Sequence, residues 1–191
     1  MITRNANLAD IDGILSLQSR YLYANLSESE RLNGFVTTPF TPDQLKTLID
    51  DNGVFVAIVD GKVCGYALAG SWQFFSQWPI FPYMVSRLPA LNFMGRAITA
   101  ENSFQYGPVC IDEEYRGSEL FPRLFEQMRR SFSSRYPIGV TFINRLNQRS
   151  YNAHTRKLGI QVVDQFEFGG RPYYGLAFDT QVSVLAGRDK K

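Results

Sequence analysis

The sequence predicts a mixed α/β domain, and three observations carry that expectation. The short, nearly continuous apolar run Val54–Val59 reads as a central strand covered on both faces, and Ser103–Ile111 and Ile138–Ile143 read as further strands. Between and around them, segments such as Leu120–Phe132 carry apolar residues at helical spacing. Two glycine turns, Asp60-Gly61 and Gly169-Gly170, each join a pair of strand-like runs.

Taken in order, Ile2–Asn5 opens as a short strand. Asn7 can cap a helix whose apolar residues Leu8, Ile11, Ile14, Leu15 and Leu22 share one side. Thr41-Pro42-Asp43-Gln44 has the form of a capping box with proline in the first turn, opening a helix to about Asp50. Val54–Val59 and Lys62–Ser71 form a hairpin. Residues 72–100 break the rhythm with prolines and aromatics and read as an irregular insertion. Ser103–Ile111 resumes as a strand and leads into a helix with Leu120, Phe121, Leu124, Phe125, Met128 and Phe132 on one face. After the strand Ile138–Ile143, Asn147–Leu158 is expected to be a helix stopped by Gly159. Ile160–Phe168 and Arg171–Phe178 make the last hairpin. Residues 1–180 are thus one domain and 181–191 a tail.

Composition removes several functions. The chain has 191 residues with 45% hydrophobic and 20% charged, enough for a full core. One histidine, His154, and two cysteines, Cys64 and Cys110, cannot assemble a His- or Cys-rich zinc site, so no metal is expected. A net charge of +2, with Lys and Arg dispersed apart from the Arg188-Asp189-Lys190-Lys191 tail, argues against a nucleic-acid partner. No apolar run approaches the roughly 18 residues of a membrane span, and the N-terminus lacks a secretory pattern. Two cysteines in apolar strands fit a reducing compartment, so a cytoplasmic protein is expected.

Two segments carry chemistry. The first is the strand–turn–helix around Asp112-Glu113-Glu114-Tyr115-Arg116-Gly117. A strand that turns into a helix leaves backbone N–H groups unpaired, which with the helix dipole suits an anion such as phosphate. Gly117 allows close approach and Arg116 adds a permanent charge. The second is Asn147-Gln148-Arg149-Ser150-Tyr151-Asn152-Ala153-His154. Asn147 is a natural N-cap, and Tyr151, His154 and Leu158 fall on one helix face.

Together these segments resemble the GNAT superfamily of N-acetyltransferases, over Ile2 to Phe178. The family's acyl-CoA loop, Gln/Arg-x-x-Gly-x-Gly/Ala after the fourth strand, is matched by Arg116-Gly117-Ser118-Glu119-Leu120-Phe121, preceded by Val109-Cys110-Ile111-Asp112. Its later signature, Asn-x-x-Ser/Ala, then Tyr or His, then Leu-Gly-Phe, is matched by Asn147, Ser150, His154 and Leu158-Gly159-Ile160. The resemblance implies a central mixed, mostly antiparallel sheet flanked by helices, with acetyl-CoA as co-substrate. Val109, Cys110 and Ile111 would pair with the pantetheine arm, and amides of Arg116, Gly117, Ser118, Glu119, Leu120 and Phe121 would hold the pyrophosphate. Asn147 and Ser150 would lie near the cofactor. The activity implied is acetyl transfer to a primary amine, a small molecule or a peptide, by direct attack, with His154 and Tyr151 as candidate proton carriers.

This chain departs from the family pattern in four places. Glu119 and Phe121 stand where the loop has Gly and Gly or Ala. The stretch from His154 to Gly159 is one residue longer than usual. Gln105 replaces the glutamate base of histone-acetylating members. These departures leave open a non-catalytic acyl-CoA-binding or interaction module of the same fold. A hydrolase or acyl carrier using Cys64 or Cys110 with His154 is a third reading, although the chain has no Gly-x-Ser-x-Gly elbow. The aromatic stretch Trp72–Tyr83 reads as an acceptor wall, a homodimer contact or a satellite core, and the Phe35–Phe40 loop as a second acceptor wall by family resemblance.

Overall fold

The computed structural model describes residues 1–186; the Arg188–Lys191 part of the tail lies outside them. The elements are β1 (Ile2–Asn5), α1 (Ile11–Tyr21), α2 (Glu28–Arg31), α3 (Pro42–Asp50), β2 (Val54–Val59), β3 (Lys62–Gly70), α4 (Trp72–Phe75), α5 (Ile80–Arg87), β4 (Asn92–Phe93) and β5 (Arg96–Ala97). There follow β6 (Ser103–Ile111), α6 (Leu120–Phe132), β7 (Ile138–Asn144), α7 (Gln148–Asn152), β8 (Gln161–Phe168) and β9 (Arg171–Asp179).

Seven strands form one sheet in the order β1-β2-β3-β6-β7-β9-β8. All neighbours are antiparallel except β6 and β7. Because both faces are covered, the central strands are apolar on both sides, as their continuous runs require. On one face α1, α3 and the insertion bury Ile14, Leu17, Leu45, Leu48, Phe75 and Phe81. On the other, α6 buries Phe121, Leu124, Phe125, Met128 and Phe132 against Phe104, Tyr106 and Phe178.

Local signals account for the element ends. Asn7 Oδ1 accepts from Ala9 N–H at 2.9 Å and Asp10 accepts from Asn7 N–H at 2.8 Å, so the box starts a 3₁₀ turn that continues into α1. The Thr41–Gln44 box opens α3 with Pro42 in its first turn. Gly169 and Gly170, at φ 57° and 71°, supply the two left-handed residues of the β8–β9 turn.

The 72–100 insertion is more ordered than its sequence suggests. It folds as α4, α5 and the β4–β5 ribbon, and packs as core. The Trp72 indole N–H donates to Ser103 Oγ at 3.0 Å, Phe75 meets Phe81 at 4.8 Å between ring centroids, and Phe81 meets Phe142 of β7 at 5.5 Å. Arg87 clamps Asp164 of β8 with two 2.7 Å bonds. The expected Asn147–Leu158 helix also differs. α7 stops at Asn152, and Ala153–Lys157 is a π-helical turn. Beyond β9, Val184 N–H donates to Glu126 Oε2 at 3.2 Å, tying the described part of the tail to α6. Among the described residues no helix is long and apolar enough to cross a membrane.

Candidate active site

The site begins where two parallel strands part. β6 pairs with β7 only over Ser103–Gln105 against Ile138–Val140. Gly107 follows at φ +110°, a conformation few side chains tolerate, and Pro108 has no N–H to continue a ladder. On its other edge β6 resumes pairing with β3 after a register shift, through Val109, Cys110 and Ile111. Asp112 N–H donates to Cys64 O at 2.8 Å. Alternation along the strand therefore turns the amides of Val109 and Ile111 away from β3, into the gap left by β7.

At the end of β6, Asp112 is committed to structure. Its carboxylate meets Arg20 at 2.8 Å and the Tyr21 hydroxyl at 3.2 Å. Arg116 donates to Ile111 O at 2.8 Å and Asn33 O at 2.6 Å, with its guanidinium over the Tyr21 ring. These contacts hold the loop that leads to the N-terminus of α6. Gly117 sits at φ +89°. Across the gap, Lys157 Nζ donates to Gly117 O at 2.8 Å, which puts a second cation at the loop. Glu119 is exposed.

The Asn147 segment forms the facing wall. Asn147 Oδ1 accepts from Ser150 N–H at 3.1 Å as the cap of α7, while its Nδ2 donates to Phe35 O at 3.0 Å. One side chain thus starts a helix and pins the loop after α2. His154 is 3% exposed and packs against Tyr106 and Phe121. Its Nδ1 lies 2.8 Å from Ser150 O, which can only accept, so Nδ1 carries the proton and Nε2 the lone pair. Burial pushes the imidazole down to about 4, against the favourable bond to Ser150 O. The ring is therefore neutral at pH 7.

Between these walls lies a cavity of about 380 Å³, lined by apolar Tyr21, Phe35, Val109 and Phe121 and by four cations, Arg116, Arg149, Arg156 and Lys157. Arg149 and Arg156 are exposed. An apolar trough with a cationic rim suits a ligand that joins an anionic head to an uncharged arm. A smaller chamber of about 70 Å³ lies deeper in the splay, walled by Phe81, Gln105, Pro108, Thr141, Phe142 and Asn144 among others. The two share Phe35, Val36, Val109, Asn147, Ser150 and His154. No carboxylate lines either one. Among the described residues no group of three or more His, Cys, Asp or Glu could hold a metal ion.

Comparison with known proteins rests on structure alone, since no family model and no curated protein matches the sequence. A putative acetyltransferase from Salmonella typhimurium, with its cofactor acetyl-CoA, superposes with a TM-score of 0.62 at 17% identity, covering 94% of each chain. A polyamine N-acetyltransferase from Drosophila melanogaster gives 0.63 at 11% identity, covering 93% of this chain and 99% of that one. A phosphinothricin acetyltransferase from Sinorhizobium meliloti, in complex with AcCoA, gives 0.62 at 15%, covering 93% and 87%. The chain has the GNAT fold.

Within that GNAT frame the predicted residues divide. Val109, Cys110, Ile111, Arg116, Gly117, Phe121, Asn147, Ser150 and His154 all line the larger cavity. Ser118, Glu119 and Leu120 do not; Ser118 donates to Tyr115 O at 2.6 Å, and Leu120 is buried beneath the loop. Tyr151 lines neither cavity, since its ring packs on Tyr174 at 4.6 Å. Phe121, where the GNAT loop has Gly or Ala, closes the cavity floor against His154 at 5.1 Å. Burial raises both thiols, Cys110 to about 12, so neither cysteine is a ready thiolate. The Phe35–Phe40 loop contributes Phe35, Val36, Thr37 and Thr38 to the chamber, and the aromatic insertion contributes Phe81. Thr141 and Asn144 were not legible, because a strand residue joins a site only where its neighbour strand leaves.

Proposed function

We propose that this protein is an acetyl-CoA-dependent N-acetyltransferase that acetylates a primary amine of a small molecule by direct attack, without a covalent enzyme intermediate. One observation carries the reading. A wide cation-rimmed cavity and a small uncharged chamber meet at Val109, Ser150 and His154, beside a strand whose amides face the gap.

In this reading the pantetheine arm lies along Val109–Ile111 as an added strand, and Arg116, Arg149, Arg156 and Lys157 face the phosphates. The amide of Val109 or Ile111 donates to the oxygen that becomes negative as the amine attacks. The amine enters uncharged through the chamber. Its lone pair forms the C–N bond, the C–S bond breaks, and the thiolate leaves with the electron pair. The nitrogen gives its proton to the bare Nε2 of His154, which passes it to water. Tyr151, held on Tyr174, has no part in this scheme.

The second reading, an acyl-CoA-binding module without turnover, is favoured by the lack of any carboxylate base in the lining of either cavity and by the low basicity of His154. Two measurements decide. Calorimetric titration with acetyl-CoA should show binding; no heat at high concentration removes both readings. Thiol release in the presence of an amine panel should then exceed the rate without amine, and equal rates leave the binding module.

A further inference from the structure

The smaller chamber is lined by Gln105, a residue with one unpartnered polar atom. Gln105 is 1% exposed and lines the chamber. Its Nε2 donates to Tyr106 O at 2.8 Å. A backbone carbonyl only accepts, so the amide cannot be flipped, and Oε1 is the remaining end. That oxygen is buried and has no hydrogen-bond partner. An orphaned buried acceptor costs on the order of a lost hydrogen bond; the Tyr66 and Tyr106 hydroxyls are also unpartnered, but of these three residues only Gln105 lines a cavity.

Its surroundings define what could satisfy it. A Cβ added at Gly107 would lie 3.3 Å from Thr141 Oγ1 and 3.8 Å from Gln105 Nε2, so these three residues crowd one end of the chamber. Phe35, Phe81, Pro108 and Phe142 supply apolar wall, and no Asp, Glu, Lys or Arg is in the lining. At about 70 Å³ it has room for about five water-sized groups. A second ammonium in that space would be desolvated with no counter-ion, beside a cavity already rimmed by four cations. A carboxylate would be desolvated without a cation in the chamber.

We propose that Gln105 Oε1 accepts an N–H of the acceptor amine, and that this chamber selects small monoamines whose remaining body is apolar and uncharged. The inference rests on the acetyltransferase reading and names the substrate class for it. Gln105 is a specificity-determining residue in this scheme. It orients the nitrogen while Thr141 and the aromatic walls bound the body.

The test uses the full chain, acetyl-CoA and a panel of matched amines: isobutylamine and n-butylamine, putrescine and spermidine, glycine and alanine. The monoamines should exceed both charged groups in kcat/KM by tenfold or more. Gln105→Leu should raise the monoamine KM about tenfold, the loss of one hydrogen bond, with acetyl-CoA affinity unchanged. Gln105→Glu should move the ratio of diamine to monoamine kcat/KM towards diamines by tenfold or more, whatever happens to the absolute rate. Circular dichroism and acetyl-CoA titration establish that each variant is folded. Thiol release fastest with a diamine or an amino acid overturns the inference alone. So does a folded Gln105→Leu variant with unchanged KM and preference. No release with any amine overturns the acetyltransferase reading, and this inference with it.

Discussion

The two cavities on either side of His154 share a wall yet differ in every property that selects a ligand. The larger has four cations at its rim and backbone amides along one side; the smaller has neutral amides, hydroxyls and aromatic rings. Both come from one event, the parting of β6 and β7 after Gln105. Above the break the strand offers backbone, and charge arrives from loops and from the turn after α7. Below it the strands offer side chains alone. The larger cavity is thus built from main chain and loop-borne cations, and the smaller from side chains of β6 and β7 together with the Phe35–Thr38 loop and Phe81.

The comparison can be broken most severely at the junction. Gly107→Ala forces a side chain into the φ +110° region and to within 3.3 Å of Thr141 Oγ1. Strain of this kind costs about 1–3 kcal/mol, and the altered splay should reduce acetyl transfer at least a hundredfold; near-normal activity in a folded variant would show that the break does not depend on this residue. Next in size is the shared wall. His154 is held well below its unfolded value, so the unfolded chain binds the extra proton between about pH 6.5 and 4. Stability from this group is fully present above pH 6.5 and is lost as pH falls towards 4, by about 3 kcal/mol. Denaturant titrations at pH 7 and pH 4 should show that much less acid sensitivity in His154→Gln, and equal sensitivity would mean the ring is solvated. The same shift predicts no inflection in the rate between pH 5 and 8 that disappears with this substitution.

Charge at the larger cavity comes third. Arg116→Ala removes a cation and its bonds to Ile111 O and Asn33 O, and should weaken acetyl-CoA about tenfold to a hundredfold, read by calorimetry, while leaving amine preference unchanged. A change in preference would show that the two cavities are not separable. The smallest effect is expected at Glu119. Its side chain is exposed, so solvent screens its repulsion of a nearby anion. Glu119→Gln should tighten acetyl-CoA no more than about threefold, and a larger gain would mean that the carboxylate faces the phosphates.

Legibility followed the range of the interactions involved. The sheet strands and the α6 face could be read because apolar period and glycine turns are local signals, and the turn before α6 because a glycine and an arginine stand together in a polar segment. The insertion could not. α4 has four residues and α5 eight, with Pro79 before the first turn and Pro82 within it, so neither carries a long periodic pattern, and distant contacts such as those with Phe40, Ser103, Phe142 and Asp164 order them. The chamber depended on distant partners too: Thr141 and Asn144 read as strand, and Gln105 as an absent base rather than a present acceptor. Tyr151 shared a helix face with His154 on paper, and Tyr174, twenty-three positions on, claimed it.

The one-residue surplus between His154 and Gly159 has a mechanical meaning. Each residue of an α-helix advances about 100° around the axis, and a π turn absorbs one extra residue without ending the helix. The turn Ala153–Lys157 therefore acts as a phase shifter. His154 stays under Ser150 O, while everything after it is rotated, so that Lys157 reaches the carbonyls of Gly117 and Ser118. In this corner of the molecule, an insertion or deletion of one residue would re-aim the Lys157 ammonium.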